Sequence, residues 1–134
     1  MNRKYTASVV GTGSGGGLSL NALAASDRFE LVAACDLRAD VRKSIETNYP
    51  GICTFASHIE LFERCPTDVV CVSTWAPSHR EITLGALELP LKGILVEKPL
   101  GDTTAAGEDI LSILIVDFLF FWHENLSFHV CICS

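Results

Sequence analysis

Residues 11–17 constrain this chain more than any other stretch. Gly11-Thr12-Gly13-Ser14-Gly15-Gly16-Gly17 places five glycines in seven positions. An apolar-leaning run, Tyr5–Val10, precedes it, and a helix-forming segment, residues 18–25, follows. Strand, glycine loop and helix in that order let a ligand approach the backbone and lie on a helix N-terminus. The amides there are unpaired and the dipole is positive, so an anion such as a pyrophosphate is the ligand that suits it.

The remaining sequence sets the frame for that loop. A chain of 134 residues can bury one proper core but cannot build two full domains. Nearly half of it is apolar and only 19% is charged, the balance of a folded globular chain. A net charge of −6 argues against a nucleic-acid partner, which needs a basic surface. The basic start, Met1-Asn2-Arg3-Lys4, leads into an apolar run too short for a secretory signal. Six cysteines, Cys35, Cys53, Cys65, Cys71, Cys131 and Cys133, lie largely in apolar surroundings. With no signal, they are expected as reduced thiols in a cytoplasmic chain.

Hydrophobic runs and turn residues alternate along the chain. Strands are expected at Tyr5–Val10, Phe29–Cys35, residues 52–55, residues 68–73 and residues 91–96. Between them lie helical segments. Asp40 is read as the cap of a helix over 41–48, which Pro50-Gly51 ends. Ser57 with Glu60, and Ser78 with Glu81, have the spacing of capping boxes, and Thr103 opens a further helix. Five strands alternating with helices through short connections imply right-handed crossovers and an α/β, doubly wound parallel sheet.

The pattern breaks near the end. Residues 110–122 are apolar apart from Ser112 and Asp117, a run too short for a comfortable membrane span and with an acid at its middle. A buried helix end followed by a sixth strand is expected there, and no membrane partner. His123, His129, Cys131 and Cys133 match no familiar zinc spacing, so no metal site is expected. Asn125-Leu126-Ser127 is a glycosylation sequon that the absent signal leaves without meaning.

Three groups carry chemistry. Gly11, Gly13 and Gly16 fit the dinucleotide spacing, and the confirming context is present: a strand before, a helix after, and Asp36 at the end of the second strand. The Asp36 carboxylate would accept the ribose hydroxyls and favours NAD; otherwise it is an ordinary turn residue. Arg38 would pair with a 2′-phosphate or stack on adenine, which keeps NADP open, or is a solvated surface arginine. Glu97-Lys98-Pro99 follows the fifth strand, at the end of a parallel sheet where ligands sit. Lys98 there would move a proton at a substrate oxygen, with burial beside a cationic ring lowering its pKa; otherwise the segment is a Lys-Pro loop with a surface ion pair.

The ordered set Val10-Gly11-Thr12-Gly13-Ser14-Gly15-Gly16, Ala34-Cys35-Asp36, Val72-Ser73-Thr74 through Pro77-Ser78-His79, and Glu97-Lys98-Pro99-Leu100-Gly101 resembles the N-terminal, Rossmann-like domain of the Gfo/Idh/MocA oxidoreductases over roughly residues 5–112. The resemblance implies a role at each position. Gly11, Gly13 and Gly16 would hold the pyrophosphate and Asp36 the ribose. Ser73 and Thr74 would line the nicotinamide side, and His79 would stand near the cofactor or have no role. Glu97 would bind nicotinamide ribose or amide, and Lys98 would act on the substrate hydroxyl. Trp75 departs from the family's usual proline, and Ser19 from a frequent histidine.

The family continues into a second domain that carries the substrate pocket. Residues 1–112 are expected to be the dinucleotide-binding domain, and residues 113–134 an atypical tail foreign to the family, the second domain missing. A shifted reading frame or a genuine short variant would each give that. The implied function is hydride transfer between a nicotinamide cofactor and a sugar or polyol, with this short chain inactive by itself. A non-catalytic dinucleotide sensor is the alternative, and a methyltransferase, which also uses a glycine loop and an acid, is a third.

Overall fold

The computed structural model describes residues 3–123 and 129–132, and from residue 116 onward the backbone path alone. Six strands form one sheet: β1 (Tyr5–Val10), β2 (Phe29–Cys35), β3 (Cys53–Phe55), β4 (Val69–Val72), β5 (Gly93–Val96) and β6 (His129–Ile132). Their order is β3-β2-β1-β4-β5-β6, and every pairing is parallel. The helices are α1 (Ser14–Ala25), α2 (Ala39–Asn48), α3 (His58–Arg64), α4 (His79–Leu87) and α5 (Thr104–His123).

The sheet is covered on both faces, as parallel strands require. On one face Leu61 and Phe62 of α3, Ile82 and Ala86 of α4, and Ile110 and Leu114 of α5 pack on Val10, Val70, Val72, Ile94 and Val96. On the other, Leu20 and Leu23 of α1 and Ile45 of α2 pack on Ala7, Val9, Ala34 and Cys71. The two windings leave β1 in opposite directions, so strand order reverses between β1 and β4. A crevice outside the carboxyl ends of those two strands is where such a sheet takes its ligand. A hollow of ≈ 620 Å³ lined by Arg3, Tyr5, Asp27, Arg28, Asp68 and Lys92 lies at the opposite end, where the strands begin.

The doubly wound parallel sheet is thus as the alternation predicts, and the first two strands have the predicted bounds. Four local readings change. First, α1 begins at Ser14, so three glycines belong to its first turn and not to the loop. Second, Asp40 does not cap α2: Arg38 occupies the N-cap and Asp40 lies in the first turn, where its charge still faces the positive end of the dipole. Third, Ser57 caps α3 by accepting from the Ile59 amide at 3.2 Å, but Glu60 takes Arg64 as its partner and leaves the box open. Fourth, Ser78 occupies the N-cap of α4, but its hydroxyl makes no cap bond there. It closes a single 3₁₀ turn, Ala76–Ser78, where its hydroxyl lies 2.7 Å from the Trp75 carbonyl and 2.8 Å from the Thr74 hydroxyl.

Thr103 does cap α5, accepting from the Ala106 amide at 3.1 Å. The apolar run after it is helical throughout rather than helix and strand, and β6 comes later, at His129–Ile132. The spacing explains this: Ile110 and Leu114 are buried while Leu111 and Ile115 are exposed, an i, i+4 stripe. Among the described residues no helix is long and apolar enough to cross a membrane. The sequon at Asn125-Leu126-Ser127 and the Cys133 thiol lie outside the described residues.

Candidate dinucleotide-binding site

The glycine loop interlocks with the end of β4. Gly11 has φ +86°, a conformation that L side chains rarely adopt, and its amide donates to the Cys35 carbonyl at 2.9 Å. A Cβ at Gly11 would stand 2.7 Å from the backbone of Ser73 and Thr74. A Cβ at Gly16 would stand 1.9 Å from the Gly11 carbonyl oxygen. These two glycines therefore hold α1 against β1. Gly13 differs, since a Cβ there would meet nothing within 4 Å: it borders open room.

That open room lies at the N-cap of α1. No side chain caps this helix and its first turn holds no acid. The first intrahelical bond runs from the Gly17 amide to the Gly13 carbonyl, at 2.7 Å, so the preceding amides have no acceptor within the helix. Such a terminus is able to take an anion on backbone alone.

Asp36 stands at the carboxyl end of β2 and is 8% exposed. Thr12 donates to its Oδ2 from both hydroxyl and amide, at 2.5 and 3.3 Å. Arg38 donates to Oδ1 from its amide at 2.9 Å and from Nε at 3.1 Å, and to Oδ2 from a terminal nitrogen at 3.2 Å. Burial pushes the carboxyl pKa up, but hydrogen bonds from the Arg38 side chain and from Thr12, with the Arg38 amide and charge, outweigh it and hold Asp36 well below the usual carboxylate range. Arg42 fixes the same turn by donating to the carbonyls of Asp36 and Leu37, at 2.8 and 2.9 Å. The carboxylate is ionised and fixed, with both oxygens already accepting from Thr12 and Arg38. Thr12 and Arg42 were not among the expected site residues. Thr12 fills a variable position of the glycine motif and Arg42 reads as a helix-surface cation, so neither carries a signal in sequence.

The ends of β4 and β5 bring the other expected residues together. The Ser73 amide donates to the Val10 carbonyl and the Glu97 amide to the Val72 carbonyl, both at 2.8 Å, so both chains leave the sheet side by side. The Ser73 hydroxyl is buried and has no hydrogen-bond partner among the described residues. A buried, unpaired hydroxyl beside the glycine loop fits a ligand oxygen. Glu97 reaches across to α1: a Cβ at Gly15 would lie 3.4 Å from its carboxyl carbon. Lys98 is exposed, not buried as expected.

His79 opens α4 as expected, but it does not face the crevice. It is 0% exposed, with Nε2 2.8 Å from the Thr74 carbonyl and Nδ1 3.2 Å from the Leu100 carbonyl. Both ring nitrogens thus face backbone carbonyl oxygens, a structural contact between the segments after β4 and β5. Among the described residues no three His, Cys, Asp or Glu side chains group to hold a metal ion.

The residues present fit a dinucleotide: an uncapped helix N-terminus for the pyrophosphate, a fixed carboxylate one strand away for the ribose, and an unpaired hydroxyl on the far side. Known proteins share this fold. Inositol 2-dehydrogenase 3 of Saccharopolyspora erythraea is 34% identical over 85 residues, which cover 63% of this chain and 24% of that protein. The crystal structure of myo-inositol 2-dehydrogenase from Lactobacillus plantarum superposes with a TM-score of 0.79 at 21% identity, covering 96% of this chain and 36% of that one. The WlbA dehydrogenase of Bordetella pertussis, solved with NADH and UDP-GlcNAcA, gives a TM-score of 0.80 at 19% identity, covering 98% and 35%. The chain thus spans about a quarter to a third of the length of these proteins. A sequence model described as "Oxidoreductase family, NAD-binding Rossmann fold" matches residues 6–115, and the chain belongs to this Gfo/Idh/MocA family.

Proposed function

We propose that this chain binds a nicotinamide dinucleotide across the ends of β1, β2, β4 and β5 and presents it for hydride transfer with a sugar- or polyol-type substrate. The observation that carries the reading is Asp36, ionised and locked by Thr12 and Arg38 beside the uncapped N-terminus of α1. Gly11, Gly13 and Gly16 shape the pyrophosphate cradle. Ser73 and Thr74 wall the nicotinamide side, and the Ser73 hydroxyl donates to the ligand. The Glu97 carboxylate, above Gly15, attracts a cationic ring or accepts a ribose hydroxyl. The cofactor supplies the hydride chemistry when bound; the chain binds and orients it. Lys98 takes or gives the proton at the substrate oxygen.

NAD is favoured over NADP because a 2′-phosphate would meet the Asp36 carboxylate. Arg38 moderates that preference, since its guanidinium is more than half exposed and lies on the same carboxylate. The sugar or polyol reading is supported by the names of the relatives and by a lysine at the mouth of the crevice. A substrate pocket needs a second wall, and the described residues leave Lys98 in the open. Binding without turnover is therefore the behaviour expected of these residues by themselves, which is also what a dinucleotide sensor would show. The thiols of Cys35 and Cys53 fit a reducing, cytoplasmic setting.

The test is a titration of the 134-residue chain with NADH, followed by ligand fluorescence. Asp36→Ala is expected to weaken binding by about tenfold or more, the loss of hydrogen bonds to a charged acceptor, and Lys98→Ala by much less. Equal effects of the two changes would remove the assigned roles. Tighter binding of S-adenosylmethionine than of NADH would overturn the choice of ligand.

A further inference from the structure

Lys98 is the one expected catalytic group, yet it is exposed and sits on a loop. What holds it in place is therefore a separate question from what it does. On its N-terminal side the answer is the sheet, through the Glu97 amide and the Val72 carbonyl at 2.8 Å. On its C-terminal side the next fixed backbone atom is the Leu100 carbonyl, which faces His79 Nδ1 at 3.2 Å. The same ring faces the Thr74 carbonyl through Nε2 at 2.8 Å. One buried imidazole thus bridges the segment after β4, which walls the nicotinamide side, and the segment after β5, which carries Lys98.

Both bridged segments are otherwise stiff. The 74–79 turn is closed by Ser78, whose hydroxyl lies 2.8 Å from the Thr74 hydroxyl and 2.7 Å from the Trp75 carbonyl. Gly101 presses on the first turns of α5, where a Cβ would come within 2.5 Å of the Gly107 amide nitrogen. The segment between β5 and α5 is thus pinned beyond Leu100 by packing and at Leu100 by His79. Only Lys98 and Pro99 span the gap between the sheet and that pin.

We propose that His79 is a positioning residue that sets the distance of Lys98 from the nicotinamide wall by tying the Thr74 and Leu100 carbonyls together. The role rests on the cofactor reading above, but the tie exists without cofactor. Both partners are carbonyl oxygens, which only accept, so a neutral ring hydrogen-bonds one of them and holds the other by packing of the buried ring, and a charged ring donates to both. The nearest chemical substitute is a glutamine, whose amide carries two N–H donors; leucine fills the space and donates nothing.

The experiment uses the full chain with lysines reductively methylated with ¹³C, the Lys98 resonance being assigned by its loss in Lys98→Arg. In the wild type that resonance is expected to shift on addition of NADH. In His79→Leu it moves away from its wild-type position before any ligand is added, its response to NADH is lost, and NADH binding weakens by about tenfold, the size of one lost buried hydrogen bond. In His79→Gln both the resonance and the response return. Thermal unfolding of each variant separates this from general destabilisation, because glutamine rescue of the Lys98 signal does not follow from stability alone. A His79→Leu chain with wild-type Lys98 position and response overturns the proposal, as does a folded His79→Gln chain that restores neither. If His79→Leu does not fold, His79→Asn decides: its amide is too short for both carbonyls, so wild-type behaviour in it overturns the tie. If the wild type does not bind NADH, the cofactor reading falls, and the ligand-free Lys98 position in the glutamine and leucine variants still decides whether His79 holds the loop.

Discussion

Two adjacent glycines in the first turn of α1 should respond to the same substitution in opposite directions. Glycine costs a helix interior about 1 kcal/mol relative to alanine, and Gly17 is the first residue of α1 whose amide bonds within the helix. At Gly17 nothing repays this, since a Cβ would meet no atom within 4 Å. Gly17→Ala should therefore stabilise the chain by about 1 kcal/mol. At Gly16 the Cβ would sit 1.9 Å from the Gly11 carbonyl oxygen, where real contacts are essentially never under 3.0 Å. Both partners are backbone, so relief requires α1 to move about 1 Å off β1 and loosens Leu20 and Leu23, which are buried beneath it.

Overpacking of this kind costs typically about 1–3 kcal/mol, and a clash between two backbones belongs at the upper end. At roughly 4 °C per kcal/mol for a domain of this size, Gly17→Ala should raise the melting temperature by about 4 °C and Gly16→Ala lower it by about 12 °C. Circular dichroism read through thermal unfolding measures both. NADH affinity should separate them again. The Gly17 amide is already committed to the Gly13 carbonyl, so its variant binds as the wild type does. The Gly16 variant displaces the free amides and should lose about tenfold or more, one hydrogen bond's worth. Equal melting shifts in the two variants, or unchanged NADH binding in Gly16→Ala, would refute the interlock of Gly11 and Gly16.

Three further outcomes are expected. Because Asp36 is held below the ordinary carboxylate pKa of about 3.9, its contribution to stability is present above that pH and lost as pH falls through the folded value; Asp36→Asn should be less stable than wild type at neutral pH, and urea melts of the two should converge below about pH 4. Convergence at neutral pH instead would mean that the Arg38 and Thr12 bonds add nothing. Burial, aided by the Asp36 charge, pushes the Cys35 thiol up to about 11, so at pH 8 iodoacetamide should alkylate exposed Cys53 at least roughly a hundredfold faster, as read by peptide mass spectrometry; similar rates would count against the burial of Cys35. Arg38→Ala should weaken NADPH binding about tenfold or more and NADH binding much less, since only the former carries a group for the guanidinium to pair; calorimetric titration with both dinucleotides checks this, and equal losses would assign Arg38 to Asp36 alone.

Much of this was legible in sequence because the deciding interactions are periodic or local. Strands covered on both faces read as apolar runs, and Phe29–Cys35 emerges with the expected bounds. Asp36 is found by its distance from the glycine motif. What escaped depends on atoms distant in sequence. The start of α1 was hidden because glycine propensity argues for a loop, and only the close approach of Gly16 to Gly11 shows why a helix begins among glycines. The cap of α2 went to Arg38 rather than Asp40 because the Arg38 amide is drawn to Asp36. His79 looked like a ligand because nothing local shows that the Leu100 carbonyl, 21 residues on, occupies its second nitrogen. The run at 110–122 reads as two elements because an all-apolar stretch hides its period; burial of Ile110 and Leu114 beside exposed Leu111 and Ile115 restores it.

The two halves of the site differ in how far they are organised without a ligand. At the adenosine half, Asp36 has both oxygens engaged, Thr12 and Arg42 fix its surroundings, and Gly11 and Gly16 set the helix terminus to which a pyrophosphate would bind. A cradle already in its binding geometry loses little entropy on association, so affinity should concentrate there. At the proposed reacting half, Trp75 is 82% exposed and Lys98 lies exposed on the loop after β5. Hydride transfer benefits from a site that excludes water, and those exposed side chains do not exclude it. Under the proposed reading, recognition and chemistry would be separable along this chain: recognition would rest on β1, α1 and the turn after β2, whereas chemistry at Lys98 would need a second surface over it. A substitution at the first set should change cofactor affinity in this chain by itself. A substitution at Lys98 should show its main effect only once a second surface closes over it.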